Sequence, residues 1–393
     1  MNMHPMAKNG SHPQKKIAIY GMVSPSLRTG VGRYIESLFA SMGKVKCPFD
    51  IMVLLGSNQR DLVEHIPHIF SIKTSAITTE SSFLNFLHMQ FVIPLLIKRN
   101  GIDLLHIPNE KLLILKTCPI VVTIHDVGDF RVANRTTLVR RLLRKITLPL
   151  IIRQADHIIA VSQRTGQDLL KIFKVNPEKL TVIHEGVSEF VLKKPSQSQV
   201  EKTHRRFKIN NDFILFVGEI SERKNLNVLL DAFRHYCKLE TRKIQLVLAG
   251  KEGNSSHNIK RLLAHYKFGE RVLLTGHITD MDLSVLYHSA SCLVLPSIYE
   301  GFGLPALEAM ACGLPVVVSN AGSLPEIVMD AGLVVDCSSA KSLSQALREV
   351  MTNMSLCEQL KAKGLQRAAL FSWTDCANAT LEVYKKVCWG EQS

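Results

Sequence analysis

The 393-residue sequence predicts an α/β protein: two doubly wound, Rossmann-like domains facing each other across a cleft. Three observations carry this. Short apolar runs rich in β-branched residues alternate with amphipathic stretches along the whole chain, as parallel strands covered by helices on both faces require. The runs fall into two sets of six. Between the sets lies the polar stretch LKKPSQSQVEKTHRRFKINND (192–212), which has the composition of a linker.

The first six strands are read at 16–23, 49–55, 102–107, 120–126, 157–162 and 180–186, within a domain spanning 16–191. The second six are read at 213–219, 244–250, 271–277, 292–297, 315–320 and 332–337, within a domain spanning 213–371. The opening MNMHPMAKNGSHPQKK has no apolar core, so residues 1–15 read as a disordered tail and not as a signal peptide. No apolar run reaches the roughly 18 residues of a membrane span. The nearest, FLNFLHMQFVIPLLI (83–97), is broken by Asn85, His88, Gln90 and Pro94. Nine scattered cysteines without a CxxC pair fit reduced thiols in the cytoplasm and give no zinc-site spacing.

Charge narrows the partners. The net charge is +14, and residues 1–190 carry 24 Lys/Arg against 14 Asp/Glu. A basic surface favours nucleic acid, anionic lipid or nucleotide. No nucleic-acid motif or aromatic platform accompanies it, so no nucleic-acid partner is expected.

Open parallel sheets bind ligands beyond the carboxyl ends of their strands. The stretch PSIYEGFGLPALEAMACGLPVVVSN (296–320) lies at such an end and holds two acids, Glu300 and Glu308. Pro305 suits the first turn of a helix, and Gly313 stops it. Glu300 therefore falls in the strand-to-helix loop and Glu308 about one turn into the helix. Amides near Gly303 and Leu304 are free to meet phosphate or sugar oxygens. A carboxylate accepts from two neighbouring hydroxyls, so Glu308 can hold a ribose diol and Glu300 the hydroxyls of a second sugar.

EGFGLPALE (300–308) resembles the E-x7-E signature of retaining glycosyltransferases of family 4, which have the GT-B fold. The resemblance covers nearly the whole chain. TGVGRYIESL (29–38), TIHDVGDF (123–130), AVSQRTGQDLL (160–170), VIHEGV (182–187) and FVGEISERKNLNVLLDAF (216–233) follow in the family's order. LVLAGKEG (246–253), VLLTGHITDMDLSVLYHSA (272–290) and FSWTDCANATLEVYKKV (371–387) complete it. The subgroup it is most similar to is rich in mannosyltransferases of lipopolysaccharide and surface polysaccharide assembly.

The resemblance implies a donor site in the second domain, an acceptor site in the first, and a C-terminal helix (372–393) returning toward the first domain. It places the loop Gly301, Phe302, Gly303 and Leu304 against the donor. It places Gly30 and Gly32 near the transferred sugar, the phosphates and, for Gly30, the acceptor. Glycines opening a helix allow close backbone approach, but the third glycine of a dinucleotide fingerprint is missing, so a dehydrogenase is not expected. Arg223 and Lys224 supply the two positive charges a diphosphate needs. Many relatives carry Arg at the position of Glu219, and Arg223 is taken to replace it. His125, at the end of a strand, is placed against the donor sugar, where it can donate to a hydroxyl or a developing charge. Asp126 is assigned to loop orientation or the acceptor. His277 and Ile278 border the nucleobase. Asp280 and Asp282 look like the metal-binding DxD of another glycosyltransferase fold, but Asp280 precedes LSVLYHSA and reads better as a helix cap.

The segment 131–153 has seven Arg/Lys and no acid. As a helix it sets Leu138, Val139, Leu142, Leu143 and Ile146 on one arc and Arg140, Arg141, Arg144 and Lys145 on the other. That pattern suits an anionic membrane surface; a domain helix with its apolar arc packed inward fits it equally.

The expectation is a metal-independent, retaining hexosyltransferase. It would use a GDP- or UDP-hexose, with no cofactor, on a glycan or glycolipid hydroxyl, in the cytoplasm or on the inner face of the cytoplasmic membrane. An epimerase or phosphorylase on the same fold, or an inactive nucleotide-sugar scaffold, is the alternative.

Overall fold

Two separate parallel sheets organise the chain. The first contains β1 (Lys16–Tyr20), β2 (Asp50–Gly56), β3 (Ser71–Ser75), β4 (Leu104–Ile107), β5 (Ile120–Ile124), β6 (His157–Ala160) and β7 (Leu180–Val182), in the order β3-β2-β1-β4-β5-β6-β7. The second contains β8 (Phe213–Val217), β9 (Gln245–Ala249), β10 (Val272–Gly276), β11 (Cys292–Leu295), β12 (Val316–Ser319) and β13 (Leu333–Val335), in the order β10-β9-β8-β11-β12-β13. The computed structural model describes residues 14–22, 30–57, 59, 63, 66–75, 82–132, 138–240, 243–253 and 256–390. The central strands β5, β8, β9 and β11 are buried along their whole length, which is why they read as continuous apolar runs.

In each sheet the strand order reverses once, between β1 and β4 and between β8 and β11. A crevice opens at such reversals, beyond the strand ends. The functional loops leave β5, β7, β8 and β11 toward this crevice.

Three expectations change. The first sheet has a seventh strand, β3. Its sequence SIKTS has one apolar residue, and as a half-exposed edge strand it needs no more. Second, the polar stretch 192–212 contains the helix Gln197–Phe207, opened by a capping box between Ser196 and Gln199. Asp282 accepts from Thr203 Oγ1 at 3.1 Å and from Arg206 at 2.9 Å, tying this helix to the second domain. Third, Lys15, assigned to the tail, is ion-paired with Asp103 at 2.8 Å; residues 1–13 lie outside the described residues.

The final helix, Trp373–Trp389, packs against the first sheet. Tyr384 OH lies 2.6 Å from His106 Nδ1 on β4, and Phe49 stacks on Trp389. Gly186 makes room for this crossing: a Cβ there would stand 2.2 Å from Trp373 N.

Candidate active site

The loop between β11 and the helix Leu304–Ala311 is where the two domains meet. A Cβ on Gly301 would stand 1.9 Å from the carbonyl oxygen of His125, so only glycine lets this loop touch the first domain. The Gly301 carbonyl accepts from Ser162 Oγ at 2.6 Å and Thr165 Oγ1 at 3.3 Å, both from the first domain. Gly303, at φ +108°, turns the chain into the helix, with Pro305 in the first turn. A cavity of about 380 Å³ remains between the domains.

Glu300 is 8% exposed and stands among cations. Lys224 Nζ donates to Oε1 at 2.5 Å, Ser297 Oγ donates at 2.6 Å, and Arg223 donates to Oε2. Burial pushes its carboxyl up, but the charges of Arg223 and Lys224 outweigh this and pull it down to about 2. The cations come from the turn Glu222–Lys224 after β8. Asn225, at φ 56°, ends that turn, and its amide spans the Pro296 and Cys337 carbonyls. Ile298 N donates to the Arg223 carbonyl at 2.9 Å. These bonds fix the two loops to each other.

Glu308 is 2% exposed and stands among hydroxyls. Ser188 Oγ donates at 2.6 Å and Tyr287 OH at 2.9 Å. The nearest cation, Arg33 Nη1, is 3.8 Å away. Burial here prevails over Arg33 and the two hydroxyls, so the carboxyl is held above its ordinary value.

His125 follows β5 directly. Its backbone N–H donates to Glu110 at 3.0 Å, Nε2 lies 2.9 Å from the Pro108 carbonyl, and Nδ1 lies 3.4 Å from Glu185. Burial alone would lower the imidazole. The close Glu185 carboxylate, with Glu110 behind, raises it instead.

The cavity wall brings together Gly30, His125, Asp126, Arg223, Lys224, His277, Ile278, Glu300, Gly301, Phe302, Gly303, Leu304 and Glu308. Gly32 is not among them; it is buried in the first turn of the helix Gly30–Met42. Thr29 lies outside the described residues. Asp126 Oδ1 accepts from Gly128 N at 3.0 Å, a loop-orienting bond. The helix cap is Thr279, not Asp280: Thr279 Oγ1 and Asp282 form the capping box. Asp280, one residue into the helix, pairs across the cleft with Arg33 at 2.6 Å. With Asp282 held by Thr203, Thr279 and Arg206, neither acid is set up as a metal ligand. Among the described residues no group of three His, Cys, Asp or Glu could hold a metal ion.

The helix Leu138–Gln154 does not pack its apolar arc inward, and its basic arc is divided between inside and outside. Arg144 points inward, with Nε 2.9 Å from Asp129, Nη2 2.7 Å from the Asp126 carbonyl and Nη1 3.3 Å from Glu110. Leu148, Ile151 and Ala155 continue that buried face. The arc containing Leu142, Leu143 and Ile146 is exposed. Lys145 is exposed and Arg141 half-buried; the side chains of Leu138, Val139 and Arg140 lie outside the described residues. Buried Asp129 and half-buried Glu110 lie beneath the helix, and a buried carboxylate needs a cation more than the interior needs another leucine.

Sequence reasoning passed over Arg33, Glu185, Arg144 as a site residue, and Glu326. The Glu326 carboxylate accepts from the amides of Gln163 at 2.8 Å and Arg164 at 3.0 Å and meets His184 at 2.8 Å, joining the domains. Arg33 and Glu185 sit inside motifs already singled out, TGVGRY and VIHEGV, and only their direction was missing.

Comparison with known proteins fits this geometry. Residues 28–189 match the model "Glycosyltransferase Family 4", and residues 199–367 match "Glycosyl transferases group 1". The chain is a glycosyltransferase, with a family 4 domain followed by a group 1 domain. An Escherichia coli "O-antigen chain mannosyltransferase B" is 28% identical over 91% of this chain and 96% of its own length. The Escherichia coli "Serotype-specific mannosyltransferase WbdA" is 29% identical over 61% of this chain, and the match spans only 30% of that protein. Among solved structures, sucrose-phosphate synthase from Thermosynechococcus elongatus superposes with TM-score 0.76 at 22% identity, covering 96% of this chain and all of that one. Anabaena HepE in complex with UDP and glucose superposes with TM-score 0.73 at 19% identity, covering 95% and 100%. These structures share the two-domain GT-B fold. The glycosyltransferase thus has its cation pair, both acids of the 300–308 stretch and His125 around one interdomain cavity.

Proposed function

We propose that this glycosyltransferase moves a hexosyl group, mannosyl by analogy with its O-antigen relatives, from a nucleotide-diphosphate sugar to a hydroxyl of a lipid-linked or polysaccharide acceptor. The observation that carries this is the Arg223–Lys224 pair held on Glu300 inside the interdomain cavity. Glu300 keeps two cations, buried Lys224 and half-buried Arg223, aimed at one place. There they meet the donor diphosphate and stabilise the charge that develops on the leaving phosphate. The solved neighbour holding UDP and glucose supports a nucleotide-sugar donor.

Glu308 takes the ribose diol. Ser188 and Tyr287 use two of its roughly four lone-pair sites and leave two for hydroxyls. Transfer proceeds with retention. The C1–phosphate bond breaks, the acceptor oxygen bonds to C1 from the same face, and the departing phosphate oxygen takes the acceptor proton. Glu300, neutralised by two cations and bonded to Ser297, is a poor nucleophile and acts by positioning the sugar. Arg223 and Lys224 supply the charge a metal would, so turnover survives EDTA.

A thermal-shift panel with GDP-mannose, UDP-glucose, UDP-N-acetylglucosamine and their free nucleotides tests this. Stabilisation grows with the logarithm of saturation, so the true donor shifts the melt more than its nucleotide alone. A panel without any shift, or activity lost to EDTA and restored by manganese, rejects the reading.

Attachment to the inner face of the cytoplasmic membrane is a second part of the proposal. Its support is the exposed arc Leu142, Leu143, Ile146 and Leu150, at 53, 58, 63 and 42% exposure, beside exposed Lys145. An apolar strip flanked by positive charge fits the headgroup region of an anionic bilayer. No described helix is long and apolar enough to cross a membrane.

A further inference from the structure

The run VIHEGV leaves β7 with its side chains alternating across the cleft. His184 turns toward Glu326 of the second domain at 2.8 Å. Glu185 turns the other way, is buried, and joins the cavity wall beside His125. Gly186 then packs on the Trp373 backbone, which fixes the direction of Glu185.

The imidazole of His125 is held at its far side, where Nε2 donates to the Pro108 carbonyl at 2.9 Å. Its near side is not closed in the same way. Nδ1 stands 3.4 Å from Glu185 Oε1, beyond the 2.7–3.2 Å typical of a direct N–H···O bond. A donor and an acceptor thus flank one point of the cavity, next to the Gly301 loop that contacts the His125 carbonyl. A hydroxyl group is the ligand that both accepts and donates.

We propose that His125 Nδ1–H and the Glu185 carboxylate form one seat for a single hydroxyl of the donor sugar, making Glu185 a sugar-selecting residue. The hydroxyl accepts from Nδ1–H and donates to Glu185. With Nε2 spent on Pro108, Nδ1 carries a proton only as imidazolium, and Glu185 is the group that keeps it there. Burial opposes the charged ring, and the Glu185 carboxylate 3.4 Å away overrides burial. The other groups facing the ring do not take over this part. Tyr34 packs edge-on at 4.8 Å and hydrogen-bonds Thr123. His106, between Tyr384 and Thr123, is pushed by burial and by His125 down to about 3 and stays neutral. Glu110 receives the His125 backbone N–H and is shared with Arg144.

The inference rests on the nucleotide-sugar reading, and one calorimetric series separates the two. Affinities of GDP-mannose, UDP-glucose and UDP-N-acetylglucosamine are compared with those of GDP and UDP, in wild type and Glu185→Gln. For the sugar that binds, single deoxy analogues are added. The seat predicts that wild type gains affinity from the sugar and that Glu185→Gln loses roughly ten- to a hundredfold of that gain, as for a hydrogen bond to a charged group. Free-nucleotide affinity stays unchanged, which also reports that the variant is folded. One deoxy position should lose as much in wild type and little more in the variant, because both changes remove the same contact. The gain should fade as pH rises through the His125 titration, and at lower pH in Glu185→Gln; a purely structural Glu185 would not move that limb. Glu185→Asp, keeping the charge, restores part of the gain. If no sugar adds affinity over its nucleotide, the donor reading and the seat fall together. If wild type gains but Glu185→Gln gains equally, only the seat falls. If Glu185→Gln does not fold, the wild-type deoxy series decides: loss at one position keeps the seat, and an even spread removes it.

Discussion

Glu300 and Glu308 share one loop-helix segment and one cavity, and both are buried, yet their surroundings are opposites. Glu300 meets Arg223 and Lys224, and its carboxyl is pulled down to about 2. Glu308 meets Ser188 and Tyr287, with Arg33 farther off, and its carboxyl is pushed up. The same side chain serves once as a fixed anion that stores two cations and once as an adaptable acceptor among hydroxyls. Sequence spacing makes them look like a pair; chemistry makes them unlike.

The largest effect should come from breaking the cation side. Lys224 is buried, so Lys224→Met removes half of the neutralising charge from a buried carboxylate. Breaking a buried pair costs about 3–5 kcal/mol, so the melting point should fall sharply and donor binding with it. Adding Glu300→Gln should restore much of the stability but not the binding. If the double change melts as low as the single one, Glu300 is not the partner that matters.

Next comes the pH dependence, where the two acids should differ in sign. Glu300 has a lowered folded value, so its stabilisation is full above its ordinary 4.5 and is lost as pH falls toward 2. That shift corresponds to roughly 3 kcal/mol. Glu300→Gln should therefore cost most near neutrality and least in acid. Glu308 has a raised folded value, so its contribution is full in acid and lost as pH rises through that value. Glu308→Gln should be neutral or stabilising at pH 7. It should still weaken nucleotide binding, because an amide cannot accept from both ribose hydroxyls on two oxygens. Denaturant melts at pH 4, 5.5 and 7 measure the stability difference; parallel curves for the two variants would erase the contrast.

A smaller effect should follow from Arg33→Met. Arg33 spans Asp280 at 2.6 Å and Glu308 at 3.8 Å, and its guanidinium lies over the Phe190 ring. Its loss removes the cation that opposes the upward push on Glu308. Nucleoside-diphosphate affinity should drop about tenfold, the size of one partly buried charge contact. Unchanged affinity would mean that Arg33 serves domain contact alone.

How much of this was legible follows a physical line. Continuous apolar runs gave twelve of the strands because burial on both faces leaves a compositional trace; β3 left none, since SIKTS is an edge with one buried-type residue. Gly301, Gly303 and Pro305 were readable because backbone geometry restricts residue choice in a strand-to-helix turn, and Glu308 because the stretch 300–308 resembles the E-x7-E signature. Glu185 and Arg33 were not, because a lone charge within a motif does not reveal which way it points. The helix Leu138–Gln154 shows the limit most plainly. Periodicity set Arg144 and Lys145 on one arc, yet Arg144 points inward and Lys145 is exposed: the pattern does not say which side is inside. That answer came from buried Asp129 and half-buried Glu110, which lie outside the helix's own sequence.

The smallest effect tests a second pair of like residues in unlike places, Arg144 and Lys145. Arg144 is held by Asp129, Glu110 and the Asp126 carbonyl, so replacing it would disturb the site and confound any membrane assay. Lys145 is exposed and is the residue to change. Exposed surface substitutions usually move stability by no more than about 0.5 kcal/mol, so Lys145→Gln should leave the melt and turnover of a short soluble acceptor unchanged. A basic residue near an anionic surface contributes roughly a fivefold factor in partitioning, and salt screens it over about 8 Å at physiological strength. Lys145→Gln should thus lower co-sedimentation with phosphatidylglycerol vesicles about fivefold at low salt and much less at high salt. Leu143→Ser with Ile146→Ser should lower it at both, because burial of an apolar arc does not depend on screening. Absence of wild-type binding to the vesicles at low salt would leave the exposed arc without a membrane role. Equal salt dependence in wild type and Lys145→Gln would assign the attraction to the apolar arc alone.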